Sequence, residues 1–162
     1  MALPEPCEAN GWLARHAALL LACHVRLTGR PLLDVTVGEA PPPATALARA
    51  LYLAPMVVLS HDDAADPVFT YGNLAAQRCF ELTWAELTAM PSRLSAEPLA
   101  REERARLLAA VTARGFVDDY AGVRISRTGR RFRIERATVW NLADPAGLRL
   151  GQAAAFDRWT EL

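Results

Sequence analysis

The sequence predicts an α+β fold in which five strands form one antiparallel sheet, with short helices and one longer helix packed on one face and an N-terminal helical extension. Three observations support this prediction. Two short strand-like runs lie close together after residue 55, several helical patterns follow them, and three longer strand-like runs end the chain. A chain of 162 residues is the length of one domain. No glycine-rich phosphate loop or internal repeat indicates a different architecture.

The N-terminal third predicts helices. From Trp12 to Leu27 apolar residues recur at helical spacing, and Thr28-Gly29-Arg30-Pro31 ends this helix. A short helix over Ala44 to Leu53 follows a run of three prolines. We therefore divide the chain into an N-terminal tail and helical flank, residues 1–54, and a core, residues 55–160.

Two strands and two short helices open the core. Met56 to Ser60 is a continuous apolar run and Val68 to Tyr71 is a second strand-like run, so together they predict a hairpin. Asn73 can cap a helix over Leu74 to Phe80 by accepting from backbone N–H groups. The capping-box pattern that starts at Thr83 predicts the next helix.

One longer helix and three strands complete the core. The helix is predicted over Arg101 to Arg114, because neither proline nor glycine interrupts it and Gly115 ends it. Three strand-like runs follow, separated by turn-forming residues: Phe116 to Ser126, Arg131 to Leu142 and Leu148 to Trp159. Alternation in the middle run predicts one buried face carrying Phe132, Ile134, Trp140 and Leu142.

Composition and charge exclude several classes of protein. All 18 basic residues are arginine and are balanced by 18 acidic residues, which argues against a purely electrostatic binder of nucleic acid or membrane. The apolar segment Ala17 to Cys23 is too short to cross a bilayer. Three widely spaced cysteines fit a reducing compartment. We expect a soluble, cytoplasmic protein without a membrane partner.

Several motifs occur together in an order typical of one group of sensory domains. Val57 to Ser60 and Tyr71 to Ala76, followed by Phe80-Glu81-Leu82, resemble the opening of a PAS domain. Other stretches resemble the MEKHLA branch of that group, which includes small stand-alone bacterial proteins: Leu59 to His61, Asp66 to Asn73, Pro91 to Pro98, Arg101 to Arg104, Gly115 to Tyr120, Gly129 to Phe132, Gly151 to Ala154 and Trp159. The resemblance covers about residues 12 to 160 and implies a sensory or interaction module with a PAS-like fold.

The resemblance does not extend to the cofactor chemistry of light-sensing or haem-binding relatives. Where flavin-binding relatives carry a reactive cysteine, this chain has Met90-Pro91-Ser92-Arg93-Leu94, and Ile134 replaces their flavin-contacting asparagine. Gln152 resembles the glutamine beside the flavin ring, although its spacing from Gly151 differs by one. Haem-binding relatives commonly use a histidine of the longer helix, and Arg101 to Arg114 contains none. We expect neither a cysteinyl-flavin adduct nor haem; flavin binding without the adduct stays open, and the cofactor is unassigned.

Four polar residues are the candidates for lining a small-molecule pocket: Tyr120, Arg136, Thr138 and Gln152. Arg136 shares the parity of Phe132, so it is predicted to point inward and to require an anion. The alternative is a β-bulge that turns Arg136 outward.

Two polar clusters each allow two interpretations. His61, Asp62 and Asp66 could form a metal site with nitrogen and oxygen ligands, or a turn in which the aspartates accept from backbone N–H groups. Six arginines lie between residues 124 and 136. Because Phe132 and Trp140 are assigned to the core, a solvated or protein-contacting hairpin is favoured over a nucleic-acid site.

The sequence offers little for catalysis. Asp118 and Asp119 are adjacent on a predicted strand and therefore point to opposite faces, so they cannot act as a pair on one substrate. No nucleophile motif is present. We expect no enzyme; a small α+β isomerase or hydrolase using Asp118 or Asp119 is the weakest alternative.

We therefore predict a stand-alone PAS-like sensory module for signal transduction, which binds a small ligand or cofactor, a protein partner in trans, or both. The alternative is a pure interaction or dimerisation module whose core is filled by side chains. The helix from Trp12 to Leu27 is the predicted element for self-association, because its apolar stripe must be buried somewhere. Packing of that stripe across the sheet of the same chain is equally compatible with the sequence.

Overall fold

An antiparallel sheet forms the centre of the fold. The computed structural model describes residues 2–35 and 40–162, and its strands there are β1 (Val57–Asp62), β2 (Phe69–Gly72), β3 (Phe116–Ile125), β4 (Arg131–Ala143), β5 (Arg149–Phe156) and β6 (Arg158–Glu161). The sheet order is β2-β1-β5-β4-β3, and β6 pairs with the first part of β4. The α+β class is confirmed, but the prediction of five strands is wrong. The strand predicted from Leu148 to Trp159 is divided at Asp157, and its two parts pair with successive segments of β4.

The helices lie close to their predicted positions. They are α1 (Ala14–Thr28), α2 (Ala44–Leu53), α3 (Leu74–Phe80), α4 (Trp84–Leu87) and α5 (Pro98–Arg114), with 3₁₀ turns at Glu8–Leu13 and Ser92–Ser95. The α5 helix begins three residues before its predicted start, because proline is well tolerated in the first turn of a helix. Within the described ranges, no helix is both long and apolar enough to cross a bilayer.

Helices cover both faces of the sheet. The short helices α3 and α4 and the longer helix α5 lie on one face, as predicted, and α1 and α2 of the N-terminal helical extension lie on the other. Ala17, Leu20 and Cys23 of α1 are buried in one cluster with Val58 of β1 and Trp140 of β4. The α3 and α4 helices pack on the opposite face, where Phe80 and Leu87 join a second cluster with strand residues. The apolar stripe of α1 is therefore buried within the chain, as the second interpretation of this helix proposed. The predicted flank 1–54 includes residues 1 and 36–39, which lie outside the described ranges.

Two β-bulges, one on each strand of the β3–β4 pair, set which side chains face which layer. The register shifts at Asp119 on β3 and again next to Arg136 on β4, and both residues have positive φ angles, 82° and 50°. Each bulge reverses the alternation of its strand. Trp140 therefore packs beneath α1, whereas Ile134 packs on the opposite face. The predicted single buried face of β4 is wrong, because the extra residue at Arg136 interrupts it.

Asn73 joins three elements at the centre of the core. Its Oδ1 atom accepts from the N–H groups of Val58 and Ala76, at 3.1 and 3.0 Å, and the second bond caps α3 as predicted. Its Nδ2 group donates to the carbonyls of Leu51 and Met56. One buried side chain thus connects the end of α2, the start of β1 and the first turn of α3.

Candidate ligand site

A cavity of about 60 Å³ lies between the sheet and α5. Most of its wall is apolar and comes from β1, β2, α3, α5, β4 and β5: Leu59, Phe69, Phe80, Leu107, Leu108, Ile134, Val139 and Phe156. Seven polar residues also line it: Ser60, His61, Ser95, Arg104, Tyr120, Arg124 and Gln152. Apolar walls with a few convergent polar groups are the usual composition of a small-molecule site.

Arg104 is a buried cation on the cavity wall. It lies on α5, is only 9% exposed, and donates from Nη2 to the hydroxyl of Ser92 at 2.9 Å. Burial, and then the charge of Arg124, lowers the pKa of Arg104 to about 10, so the guanidinium is still protonated at neutral pH. No carboxylate in residues 2–35 or 40–162 lies within 4.0 Å of it.

Arg124 is a second buried cation on the same wall. It is 7% exposed, donates from Nη1 to the carbonyl of Val123 and from Nη2 to the hydroxyl of Tyr120, and stacks over the Tyr120 ring. Tyr120 lies flat along β3 because Gly122 has no side chain; a Cβ atom there would collide with the Tyr120 phenol. The bulge at Asp119 and the missing side chain of Gly122 therefore position this pair.

His61 and Gln152 present two hydrogen-bond acceptors without donors. They are direct partners across β1 and β5 and are both buried, at 7% and 1% exposure. His61 Nδ1 donates to the carbonyl of Asp62 at 2.7 Å, so the neutral ring carries its lone pair on Nε2. Burial lowers the pKa of His61, which favours this neutral form. Neither His61 Nε2 nor Gln152 Oε1 has a partner among the described residues.

Gln152 also holds α5 against the sheet. Its Nε2 group contacts the carbonyl of Leu108 at 3.1 Å, the hydroxyl of Thr112 at 3.2 Å and Asn141 Oδ1 at 3.0 Å. Because carbonyl oxygens only accept, these contacts establish which end of the amide is the nitrogen. The side chain therefore connects β5, β4 and α5 while its oxygen stays unpaired.

The four predicted pocket residues divide into two pairs. Tyr120 and Gln152 line the cavity. Arg136 is exposed at the bulge of β4, so the prediction that it points inward is wrong and the bulge alternative describes its position. Thr138 lies between Ala137 and Val139, which face the cavity layer, and alternation therefore directs it to the opposite face.

Neither Arg104 nor Arg124 is among the residues predicted to line the pocket. A signal for Arg104 was present, because it precedes Leu107, Leu108 and Val111 by three, four and seven residues and so shares their helix face. The position of Arg124 depends on the bulge at Asp119, which local sequence does not indicate.

The three candidate metal ligands, His61, Asp62 and Asp66, make separate contacts. Asp62 Oδ1 accepts from the N–H groups of Ala64 and Val68, as in the turn interpretation, and Asp66 forms an ion pair with Arg93 at 3.1 Å. Across the described residues, no group of three or more histidine, cysteine or acidic side chains is arranged to hold a metal ion.

Half of the six arginines of the arginine-rich hairpin are paired with acids from other parts of the chain. Three ion pairs hold these arginines: Arg127 with Glu86, Arg130 with Glu161, and Arg131 with Glu97. Arg124 is buried, and so are both aromatic residues in question, Phe132 and Trp140. The hairpin therefore keeps exposed cations, Arg133 and Arg136 among them, but its rings are buried and cannot provide the stacking that a nucleic-acid surface combines with cations.

The two aspartates considered for catalysis lie outside the cavity. Asp118 is exposed and forms an ion pair with Arg30 at 3.0 Å. Asp119 is the exposed bulge residue of β3.

Neither flavin nor haem fits the cavity. Each carries a large planar ring system. The pockets of drug-sized ligands measure about 300 to 1,000 Å³, whereas this cavity measures about 60 Å³. Met90 to Leu94 is the segment in which flavin-binding relatives carry the reactive cysteine. Its buried residue is Ser92, whose hydroxyl accepts a hydrogen bond from Arg104. The cavity is large enough only for a few waters or a ligand of a few heavy atoms.

Solved structures with this fold belong to PAS-type domains. The PAS domain of a protein from Colwellia psychrerythraea is 12% identical, with a TM-score of 0.60 over 71% of this chain and 92% of that one. An RNA-binding light-oxygen-voltage receptor is 20% identical, with a TM-score of 0.59 over 80% of this chain and 35% of that one. The light-state dimer of the fungal blue-light photoreceptor Vivid is 14% identical, with a TM-score of 0.55 over 84% and 91%. The protein therefore has a PAS-type fold.

The family is established by sequence. The model of the MEKHLA domain matches residues 14–161, which include α1 as well as the core. The chain belongs to the MEKHLA domain family. Among curated proteins, none shows significant similarity to it.

Proposed function

We propose that this protein is a ligand-responsive sensory module that binds a small molecule in the cavity beneath α5 and transmits the signal to a partner in trans. One observation supports this proposal above the others: the cavity wall carries two buried guanidinium groups without a counter-ion among the described residues. Uncompensated buried charge is costly. A side-chain-filled core that served only for packing would gain nothing from it.

The α5 helix is the element through which ligand binding would be transmitted. It supplies Arg104, Leu107 and Leu108 to the cavity, and its carbonyl at Leu108 is bound by Gln152 of β5. A ligand that engages Arg104 would change the position of α5 relative to the sheet. Such a displacement alters the outer surface of the domain, where a partner can detect it.

Native mass spectrometry of protein purified from its native host tests this function. A bound small molecule that is lost on denaturation supports the sensor. A clean apo mass, together with unchanged thermal stability across a library of small metabolites, would contradict it. The absorption spectrum of the same sample reports any coloured ligand.

A second candidate function, self-association, is favoured by the outer side of α1. This side and the β4–β5 turn border an apolar groove of about 870 Å³ whose walls include Leu13, Ala18, Leu19, Ala22, Pro145 and Leu150. Leu150 is 38% exposed there. Sedimentation velocity of the unmodified protein and of Leu150→Glu tests this candidate; a dimer weakened by the substitution supports it, and a monomer at all concentrations contradicts it.

A further inference from the structure

The chemistry of the cavity defines the class of its ligand, if the proposed sensor function holds. The first requirement is negative charge. Arg104 and Arg124 are both buried on its wall, and the charge of Arg124 helps to lower the pKa of Arg104, so the two cations repel each other across this site. An anion between them removes the repulsion and replaces the missing counter-ion.

The second requirement is hydrogen-bond acceptors on that anion. A guanidinium carries five N–H donors. Arg104 uses one, in the bond to Ser92, and Arg124 uses two, in the bonds to Val123 and Tyr120. A carboxylate accepts from such donors in a planar, charge-assisted arrangement.

The third requirement is a hydrogen-bond donor on the same ligand. His61 Nε2 and Gln152 Oε1 are neighbouring buried acceptors without donors among the described residues. A hydroxyl group satisfies one of them, whereas a simple fatty acid leaves both unpaired. A buried acceptor without a partner costs free energy, so the site discriminates in favour of the hydroxylated acid.

The fourth requirement is small size with an apolar part. The cavity measures about 60 Å³, and Leu59, Phe69, Ile134 and Phe156 form much of its wall. Inorganic phosphate has the charge and the hydroxyl, but it offers nothing to these side chains.

We propose that the cavity binds a short-chain 2-hydroxycarboxylate, whose carboxylate accepts from Arg104 and Arg124 and whose hydroxyl donates to His61 Nε2 beside Gln152. The ligand fills the space between α5 and the sheet and couples the two. The proposal deepens the sensor function by naming the ligand class of the same site.

Calorimetric titration with lactate and propionate tests this assignment, because the two acids differ only by the hydroxyl at C2. We expect the unmodified protein to bind lactate at least fivefold more tightly than propionate. Arg104→Met and Arg124→Met should each weaken lactate binding at least tenfold, and the matched exposed control Arg136→Met should leave it unchanged. His61→Phe should retain propionate binding and lose the preference for lactate.

A measurement on the unmodified protein guards against variants that fail to fold. In amide NMR spectra, lactate should shift the signals of Gly122 and Gln152 while those of Gly29 and Gly147 stay in place. Equal weakening by Arg104→Met and Arg136→Met, shifts confined to other regions, or binding of inorganic phosphate without lactate would each overturn the proposal. A non-anionic molecule found by native mass spectrometry would overturn this ligand class and leave the sensor function intact; a clean apo mass without binding of either acid would overturn both.

Discussion

Replacing Arg104 by methionine should make the ligand-free protein more stable. The guanidinium is 9% exposed, has no carboxylate within 4.0 Å among the described residues, and lies near Arg124. Burial, and then the charge of Arg124, lowers its pKa to about 10 in the folded state. Since one pKa unit corresponds to about 1.36 kcal/mol, this depression represents about 3 kcal/mol of unfavourable free energy in the folded state at neutral pH.

The net effect is smaller than this cost, because Arg104 also makes a favourable contact. Its hydrogen bond to Ser92 stabilises the fold by about 1 kcal/mol and is lost in the variant. Methionine has a similar length and places apolar atoms against Leu107 and Leu108. We therefore expect Arg104→Met to raise the free energy of unfolding by about 1 to 2 kcal/mol.

Urea unfolding at pH 7.5, followed by tryptophan fluorescence, measures this difference. The midpoint should rise without a change in slope, and the melting temperature should rise by about 5 °C for a domain of this size. The control Arg136→Met should change the free energy of unfolding by less than about 0.5 kcal/mol, because this residue is exposed. A loss of more than about 1 kcal/mol in Arg104→Met would refute the reasoning and assign Arg104 a structural role.

Three further predictions concern pH and the backbone. Burial lowers the pKa of His16 to about 4 and lowers those of His24 and His61, whereas the unfolded chain takes up these protons near pH 6.5. The free energy of unfolding should therefore fall as the pH falls from about 6.5 to 4, and His16 should contribute up to about 3 kcal/mol of this loss. Urea titrations across that pH range measure the profile, and His16→Gln should flatten it. Gly151→Ala should lower the free energy of unfolding by about 3 kcal/mol or reduce the soluble yield, because a Cβ atom there would collide with the carbonyl of His61. Scanning calorimetry measures the effect; a melting temperature within about 2 °C of that of the unmodified protein would contradict this prediction. Asn73→Ala should cost about 3 kcal/mol by removing four hydrogen bonds to the backbone, and chemical unfolding that shows a cost of less than about 1 kcal/mol would contradict it.

Local patterns predicted the elements well where the cause is local. Asn73 caps α3 because a short amide side chain next to a helical run can reach its first N–H groups. The Thr83 side chain, with Glu86, forms the predicted capping box of α4 for the same reason. Of the predicted pocket residues, Tyr120 and Gln152 lie on the cavity wall.

The errors arise where distant segments meet. Regular alternation along β4 predicts that Arg136 points inward, and the bulge there, the alternative interpretation, reverses this alternation. Arg136 is therefore exposed, whereas Arg104 and Arg124 are the buried arginines. A bulge depends on how two strands pair, and neither strand alone contains that information.

Periodicity, caps and family motifs are properties of neighbouring residues, and they are enough to predict the α+β class, the order of the elements and membership of the MEKHLA family. The burial of Arg104 and Arg124, the face of the sheet that α1 covers, and the unsatisfied site shared by His61 and Gln152 are visible only in the folded chain. These depend on register and on the two bulges of the β3–β4 pair. They arise when segments distant in the chain pack together, and they create the cationic cavity on which the proposed sensing depends.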